Sequence, residues 1–170
     1  AGQRLISVKD QLFAELREKL RADAPLDEYQ VQQRFIALIK QSGLSVPELP
    51  IVAVNANASN PHYMPTSTFF SPLRRGDLIL FDFWAHLPQD DAVYADYTWV
   101  AFAGTQDEIP DQQRKVFEVV RNARDTGIAF VRERLAAGER VEGREVDDVT
   151  RQVIINAGYG DYFVHRTGHS

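Results

Sequence analysis

The alternation of apolar and polar positions predicts two helices followed by strands in the first half of the chain. Apolar residues recur at helical spacing after Ser7, which the sequence predicts to be the N-cap of the first helix. A second helical pattern follows and ends at Gly43. Residues 51–54 then change to the short apolar pattern of a strand, and further strands are predicted at 78–84 and 93–103.

The second half of the chain predicts two more helices and a final strand. The longest helical pattern runs from Pro110 to Ala137, and EVDDVTRQVIINAG predicts a fourth helix that Gly158 closes. The last residues, YGDYFVHRTGHS, are typical of a strand followed by a loop. This order of helices and strands predicts one α+β domain over residues 1–170.

Composition narrows the class of protein. Hydrophobic residues make up 44% and charged residues 25% of the 170 positions, as in an ordinary globular domain, and no apolar run is long enough to predict a membrane span. The net charge of −5 argues against a broad nucleic-acid surface. The chain has no cysteine, which excludes disulfides, thiolate metal sites and cysteine nucleophiles, and fits a cytoplasmic location.

Asp82 places a carboxylate in the middle of the apolar strand LILFDFWAH. Burying an unpaired carboxylate costs free energy, so a neighbouring group must compensate its charge. If the second and third strands form a hairpin centred on Gln89, in the turn-like sequence HLPQDDA, then Asp82 lies directly opposite Asp96. Two such acids repel, so either one holds a proton or a cation lies between them. The alternative is a shifted register that separates the acids, with each bound by backbone amides or an arginine.

Histidine is scarce, with four residues in the chain. His62 lies in the loop sequence NPHYMP, and His165 and His169 lie in HRTGHS at the end. His86 follows the acidic strand and is interpreted as a surface or loop histidine. Imidazoles together with carboxylates suit manganese, iron, cobalt or zinc better than calcium or magnesium. Spacing alone does not assign these histidines a role.

Four motifs, NPHYMP, GDLILFDFWA, YADYTW and HRTGHS, occur in the order seen in a known family. The chain resembles the pita-bread metallopeptidases, which include methionine aminopeptidase, Xaa-Pro aminopeptidase, prolidase and creatinase, and it is most similar to the Xaa-Pro peptidase branch. The resemblance implies an incomplete pita-bread fold, with helices packed on a curved antiparallel sheet. It also implies hydrolysis of the N-terminal peptide bond of peptides, ahead of proline.

The same resemblance implies a role for each candidate residue. Asp82 would bind one of two divalent metal ions, Asp96 would bridge both, and His169 would bind through its ring nitrogen. His62 and His165 match family histidines that contact the substrate and the tetrahedral intermediate. Manganese is the expected metal, with cobalt, zinc or iron as alternatives. The expected partner is a peptide substrate, with neither nucleic acid nor membrane involved.

The sequence also departs from the family pattern. Trp84 replaces a common glycine two positions after the first aspartate, and Trp99 stands where an arginine often follows D-x-T. Two glutamates that complete the family's metal site lie beyond the G-H motif, whereas this sequence ends at Ser170. Residues 1–170 are therefore interpreted as a truncated catalytic domain that binds metal weakly and is inactive alone. Its exposed strand edges predict a homo-oligomer, most simply a dimer.

Two other functions stay open at this point. One is a non-catalytic peptide- or protein-binding module on the same fold, as in histone-chaperone relatives that have lost metal ligands. The other is a different reaction on the same scaffold, such as a creatinase-type hydrolase or a lyase. The presence of Asp82, Asp96, His62 and His169 favours the peptidase over the binding module.

Overall fold

The computed structural model describes residues 1–168, and the mixed α+β class is confirmed. The chain forms two compact units, the first spanning Ala1–Glu108 and the second beginning at Ile109. In the first unit, helices α1 and α2 precede an antiparallel sheet of strand order β1-β2-β3. The bounds are α1 Gly2–Arg21, α2 Glu28–Gln41, β1 Ile51–Val54, β2 Leu78–Ala85 and β3 Ala95–Phe102.

The start of α1 differs from the sequence prediction. The helix begins at Gly2, and the Ser7 hydroxyl donates a hydrogen bond to the Gln3 carbonyl oxygen at 3.1 Å. Ser7 therefore satisfies its hydroxyl within the helix and is not a cap. The helical apolar pattern extends upstream to Leu5, which is fully buried, and this burial favours the earlier start.

Burial alternates strictly along β2, and this alternation decides which side of the sheet carries each side chain. Ile79, Phe81, Phe83 and Ala85 are buried in the core, which α1 and α2 complete. The Phe83 ring lies 4.9 Å from that of Phe35 in α2, measured between ring centroids. Leu80, Asp82 and Trp84 are half-buried on the opposite face, which we call the acidic face of the sheet.

The second unit contains α3 (Asp111–Ala136) and α4 (Gly143–Asn156), which pack together. The two helices approach closely at Gly127, where an added Cβ would lie 2.6 Å from the Thr150 hydroxyl oxygen. A Glu142–Glu145 capping box begins α4 two residues earlier than predicted. Across residues 1–168, no helix is long and apolar enough to cross a membrane.

The strand predicted after Gly158 is wrong. Gly158 ends α4 with φ of +83°, and Gly160–Tyr162 then form a single 3₁₀ turn. The following residues, as far as 168, are irregular. Side chains of α4 supply several of their backbone hydrogen bonds, so this segment does not need a neighbouring strand.

Candidate metal centre

The predicted hairpin forms between β2 and β3, but its strand register differs from the prediction. Asp82 pairs with Thr98, and Asp96 pairs with Trp84, so the expected direct opposition of the acids is wrong. The pairing is centred on Asp90 because the connection is an irregular nine-residue loop, 86–94. Turn-like composition places such a loop without fixing its exact centre.

The shift of two residues keeps both acids on the acidic face. Asp82 and Asp96 are diagonal neighbours, a relation in which Cα atoms are roughly 7–8 Å apart and Cβ atoms somewhat closer. The Thr98 hydroxyl donates to Asp82 Oδ1 at 3.0 Å. Asp82 is half-buried and Asp96 is exposed, so the carboxylate within the apolar strand faces away from the core. The diagonal placement weakens the repulsion of direct pairing and keeps both carboxylates on the face where a shared cation would bind.

The donor chemistry of this pair fits a divalent cation, since carboxylate oxygens are the ligands that hard cations prefer. Two carboxylates do not complete a site, however. Within residues 1–168, no group of three or more histidine, cysteine, aspartate or glutamate side chains could hold a metal ion. His169, the third predicted ligand, lies outside the described residues.

A buried carboxylate anchors the loop that follows β1. Glu28, at the start of α2, is 0% exposed and accepts four hydrogen bonds. Its Oε1 accepts from the Val54 N–H at 2.6 Å and the Asn57 side-chain amide at 2.9 Å. Its Oε2 accepts from the Ser71 N–H at 2.6 Å and from the Tyr63 hydroxyl. One carboxylate therefore connects a helix, a strand end and both sides of the loop.

This anchored loop carries His62 and lies on the acidic face. Tyr63, directly after His62, packs with Ile51 and Ala53 of β1 in a small second core that also contacts Leu80. Ile51 is the residue directly opposite Asp82 on the neighbouring strand. His62 itself is exposed, and its N–H donates to Asn60 Oδ1 at 3.0 Å. The structure thus brings the His62 loop and the acid pair to one side of the sheet.

The surroundings of Tyr63 shift the pKa of its phenol hydroxyl. Burial, the hydrogen bond to Glu28 and the negative charge of that carboxylate together raise the pKa of Tyr63 well above its usual range. Tyr63 therefore stays protonated and continues to donate to Glu28 at neutral pH.

His165 belongs to the second unit, where α4 holds its backbone. Arg151 donates to the carbonyl oxygens of Phe163 at 2.8 Å and His165 at 3.2 Å. The same guanidinium donates to Asp147, with Nε 2.9 Å from Oδ2 and Nη2 3.3 Å from Oδ1. Asp147 Oδ1 also accepts from the Thr167 N–H at 2.6 Å. We call Arg151 and Asp147 the α4 clamp.

The two residues of the α4 clamp form an ion pair with each other. The Arg151 guanidinium and the Thr167 N–H hold the pKa of the Asp147 carboxyl below its usual range. Arg151 also lies over the ring of Phe163, 4.5 Å from its centroid. The Asp147 carboxylate is therefore charged at neutral pH, when its hydrogen bonds to Arg151 and to the Thr167 N–H are strongest.

His86 lies just beyond β2, in agreement with its interpretation as a loop histidine. Its backbone forms an isolated bridge with Ser45, and its ring lies 4.6 Å from that of Tyr94. Its half-buried Nδ1 is 2.6 Å from the Leu87 carbonyl oxygen.

Sequence reasoning missed the anchors of both histidine segments. Glu28 has the sequence context of an ordinary acid in the first turn of a helix, and nothing in that context signals its burial. The α4 clamp does leave a signal, because Asp147 and Arg151 stand four residues apart on a predicted helix. That spacing predicts the ion pair but not its hydrogen bonds to the following segment.

The chain is similar to a known protein family, to individual relatives and to solved structures. The model of metallopeptidase family M24 matches residues 3–170. A Lactobacillus helveticus protein named Xaa-Pro dipeptidase is 36% identical over 119 residues, which cover 70% of this chain. A dipeptidase from Pyrococcus horikoshii OT3 has a similar structure, with a TM-score of 0.71, 28% identity and 96% of this chain covered.

A second similar structure is the Caenorhabditis elegans X-prolyl aminopeptidase, described as a cytosolic enzyme with a di-nuclear active site. Its TM-score is 0.68 over 91% of this chain, and at 17% identity the likeness concerns the fold. The chain spans 28% of the length of the L. helveticus relative, and 41% and 24% of the two solved chains.

Proposed function

The chain belongs to metallopeptidase family M24, and from that premise we propose that the protein is a dinuclear metal-dependent peptidase that cleaves Xaa-Pro bonds at the N-terminus of peptides. The names of relatives support this substrate class, since the L. helveticus protein is an Xaa-Pro dipeptidase. The observation that carries the proposal is the position of Asp82 and Asp96 on one face of adjacent strands.

Asp82, Asp96 and His169 would hold the two ions in this proposal. When bound, divalent ions supply a Lewis acid for the scissile carbonyl and a water nucleophile at neutral pH. His62 and His165 are proposed to contact the substrate and to donate hydrogen bonds to the oxyanion that develops on that carbonyl. The anchored His62 loop would limit the movement of one of these donors, since tight positioning lowers the cost of reaching the transition state.

Several finer features belong to the same proposal. Manganese is the metal we propose, since a mixed set of carboxylates and imidazole suits it. We further propose that the protein is cytoplasmic and forms a dimer, and that residues 1–170 are part of its catalytic domain. The absence of cysteine agrees with a reducing compartment.

Replacement of the proposed bridging ligand tests this function. Asp96→Asn removes one charge and almost no volume, so we expect Mn²⁺-dependent hydrolysis of an Xaa-Pro dipeptide by the full-length protein to fall at least about 100-fold, as when a central electrostatic group is lost. Asp90→Asn is the matched control, because Asp90 is an exposed acid in the loop of the same hairpin. Activity of Asp96→Asn within tenfold of the control would reject Asp96 as a ligand.

A further inference from the structure

The segment that carries His165 is held at three points of its backbone, and the ring of Phe163 also contacts Arg151. The α4 clamp contacts Phe163, His165 and Thr167, which are alternate residues, at two carbonyl oxygens and one N–H. Residues 163–168 are irregular, so these hydrogen bonds replace those that a helix or strand would supply. The clamp therefore restrains the path of the chain mainly through main-chain contacts.

The geometry of the clamp requires an arginine. A single guanidinium donates to a carboxylate and to two carbonyl oxygens while its central carbon lies over the Phe163 ring. A lysine ammonium has the same charge but is a point donor without a planar fork, and it cannot reproduce this set of contacts. Asp147 completes the arrangement because it orients Arg151 and accepts from Thr167 with the same carboxylate.

The restrained segment carries one predicted catalytic histidine and leads to one predicted metal ligand. His165 lies within it, and Thr167 precedes His169 by two residues in the sequence. Displacement of this backbone would move His165 and would change the path of the chain towards His169. A supporting residue can therefore affect the site without touching substrate or metal.

We propose that Arg151 and Asp147 are positioning residues for the peptidase site and that they act by restraining the backbone of 163–167. This inference rests on the proposed function, which supplies the roles of His165 and His169. The clamp itself does not contact the reacting atoms in this proposal. Its effect should appear in backbone protection and in either metal affinity or kcat.

The first measurement is independent of activity. Hydrogen–deuterium exchange at the Thr167 amide is compared in wild type, Arg151→Met, Arg151→Lys and the isosteric Asp147→Asn. We expect exchange at this amide to accelerate by roughly tenfold or more in both Arg151 variants, because the segment can then open without first breaking the hydrogen bonds of Arg151. Protection of amides inside α3 should not change. Arg144→Met is the matched control, since Arg144 is 78% exposed on the same helix and lies 3.7 Å from Glu142.

The second measurement uses Mn²⁺ as the probe in calorimetric titrations of the same variants, together with kcat and KM for an Xaa-Pro dipeptide. We expect Mn²⁺ affinity or kcat to fall by about 10–100-fold in both Arg151 variants, the range found for residues that orient ligands. Arg151→Lys should not restore wild-type values, because charge without the planar fork is insufficient. Asp147→Asn keeps the side-chain shape and provides the test if an Arg151 variant does not fold.

Three outcomes would overturn the inference. Unchanged exchange at Thr167 in Arg151→Met would show that the clamp does not restrain the segment. Faster exchange with unchanged Mn²⁺ affinity and kcat would make the clamp merely structural. Full recovery by Arg151→Lys would assign the effect to charge alone. If the full-length wild type does not cleave Xaa-Pro peptides, the proposed function fails, whereas exchange and Mn²⁺ affinity still test the clamp.

Discussion

Two segments that carry candidate catalytic histidines are anchored in contrasting ways. The His62 loop is held by Glu28, a carboxylate with 0% exposure that accepts four hydrogen bonds. The His165 segment is held by Arg151 and Asp147, whose side chains are 31% and 19% exposed. One anchor is a buried acceptor inside the core, and the other is a partly solvated ion pair on a helix surface.

This contrast predicts different consequences of losing each anchor. Removing part of a buried network leaves donors or acceptors without partners in a low-dielectric interior, which destabilises the whole fold. Water can replace much of a partly solvated pair, so its loss should affect local order more than global stability. Both anchors hold an irregular segment, but loss of the buried one should lower global stability far more than loss of the partly solvated one.

The largest expected effect comes from Glu28→Gln. Its amide group would face at least one of the N–H donors that now bind the carboxylate, so we expect the free energy of unfolding to fall by about 3 kcal/mol or more. Arg151→Met should cost about 1 kcal/mol or less. Urea unfolding of both variants checks this difference, with Glu18→Gln, whose side chain is 71% exposed in α1, as the control. Equal losses for Glu28→Gln and Arg151→Met would contradict the contrast.

A smaller effect is expected from Tyr63→Phe, and it should depend on pH. Near neutral pH the variant loses one hydrogen bond to Glu28, at a cost of about 1–2 kcal/mol. Because folding raises the pKa of Tyr63, the stability contributed by its proton is complete below the ordinary value of about 10 and is lost as pH rises towards the raised pKa. The difference between wild type and variant should therefore shrink above pH of about 10.

Urea titrations at neutral and alkaline pH measure this difference, and Tyr162→Phe is the control because Tyr162 is 79% exposed. A difference that stays constant or grows through the alkaline range would argue against the hydrogen bond between Tyr63 and Glu28.

The sequence predicts most elements of this fold because local pattern and tertiary burial agree there. Strand β1 and the longest helix lie close to their predicted positions, as β-branched composition and helical spacing indicate. The prediction of Ser7 as a cap failed because the buried Leu5 extends the helix upstream. The strand predicted after Gly158 failed because α4 side chains satisfy an irregular backbone there.

The candidate site was predictable in a similarly partial way. Alternation along a strand has a period of two, so a register error of two residues still places Asp82 and Asp96 on one face. Their exact pairing depends on the path of the loop after His86, which composition does not determine. Glu28 was not predictable, because the four donors that surround it come from positions 54–71, well separated from it in sequence.

The central claim is that a divalent cation binds on the acidic face beside Asp96, and the two tryptophans allow a direct test. Trp84 is paired with Asp96 on that face, whereas Trp99 pairs with the core residue Phe81 and lies under Lys9, whose Nζ is 4.0 Å from its ring. In a Trp99→Phe variant, Trp84 is the sole tryptophan of residues 1–170, and Mn²⁺ should quench its fluorescence saturably. We predict that adding Asp96→Asn abolishes this quenching and that Asp90→Asn preserves it. Equal quenching with and without the Asp96 carboxylate, or none at any Mn²⁺ concentration, would contradict the account.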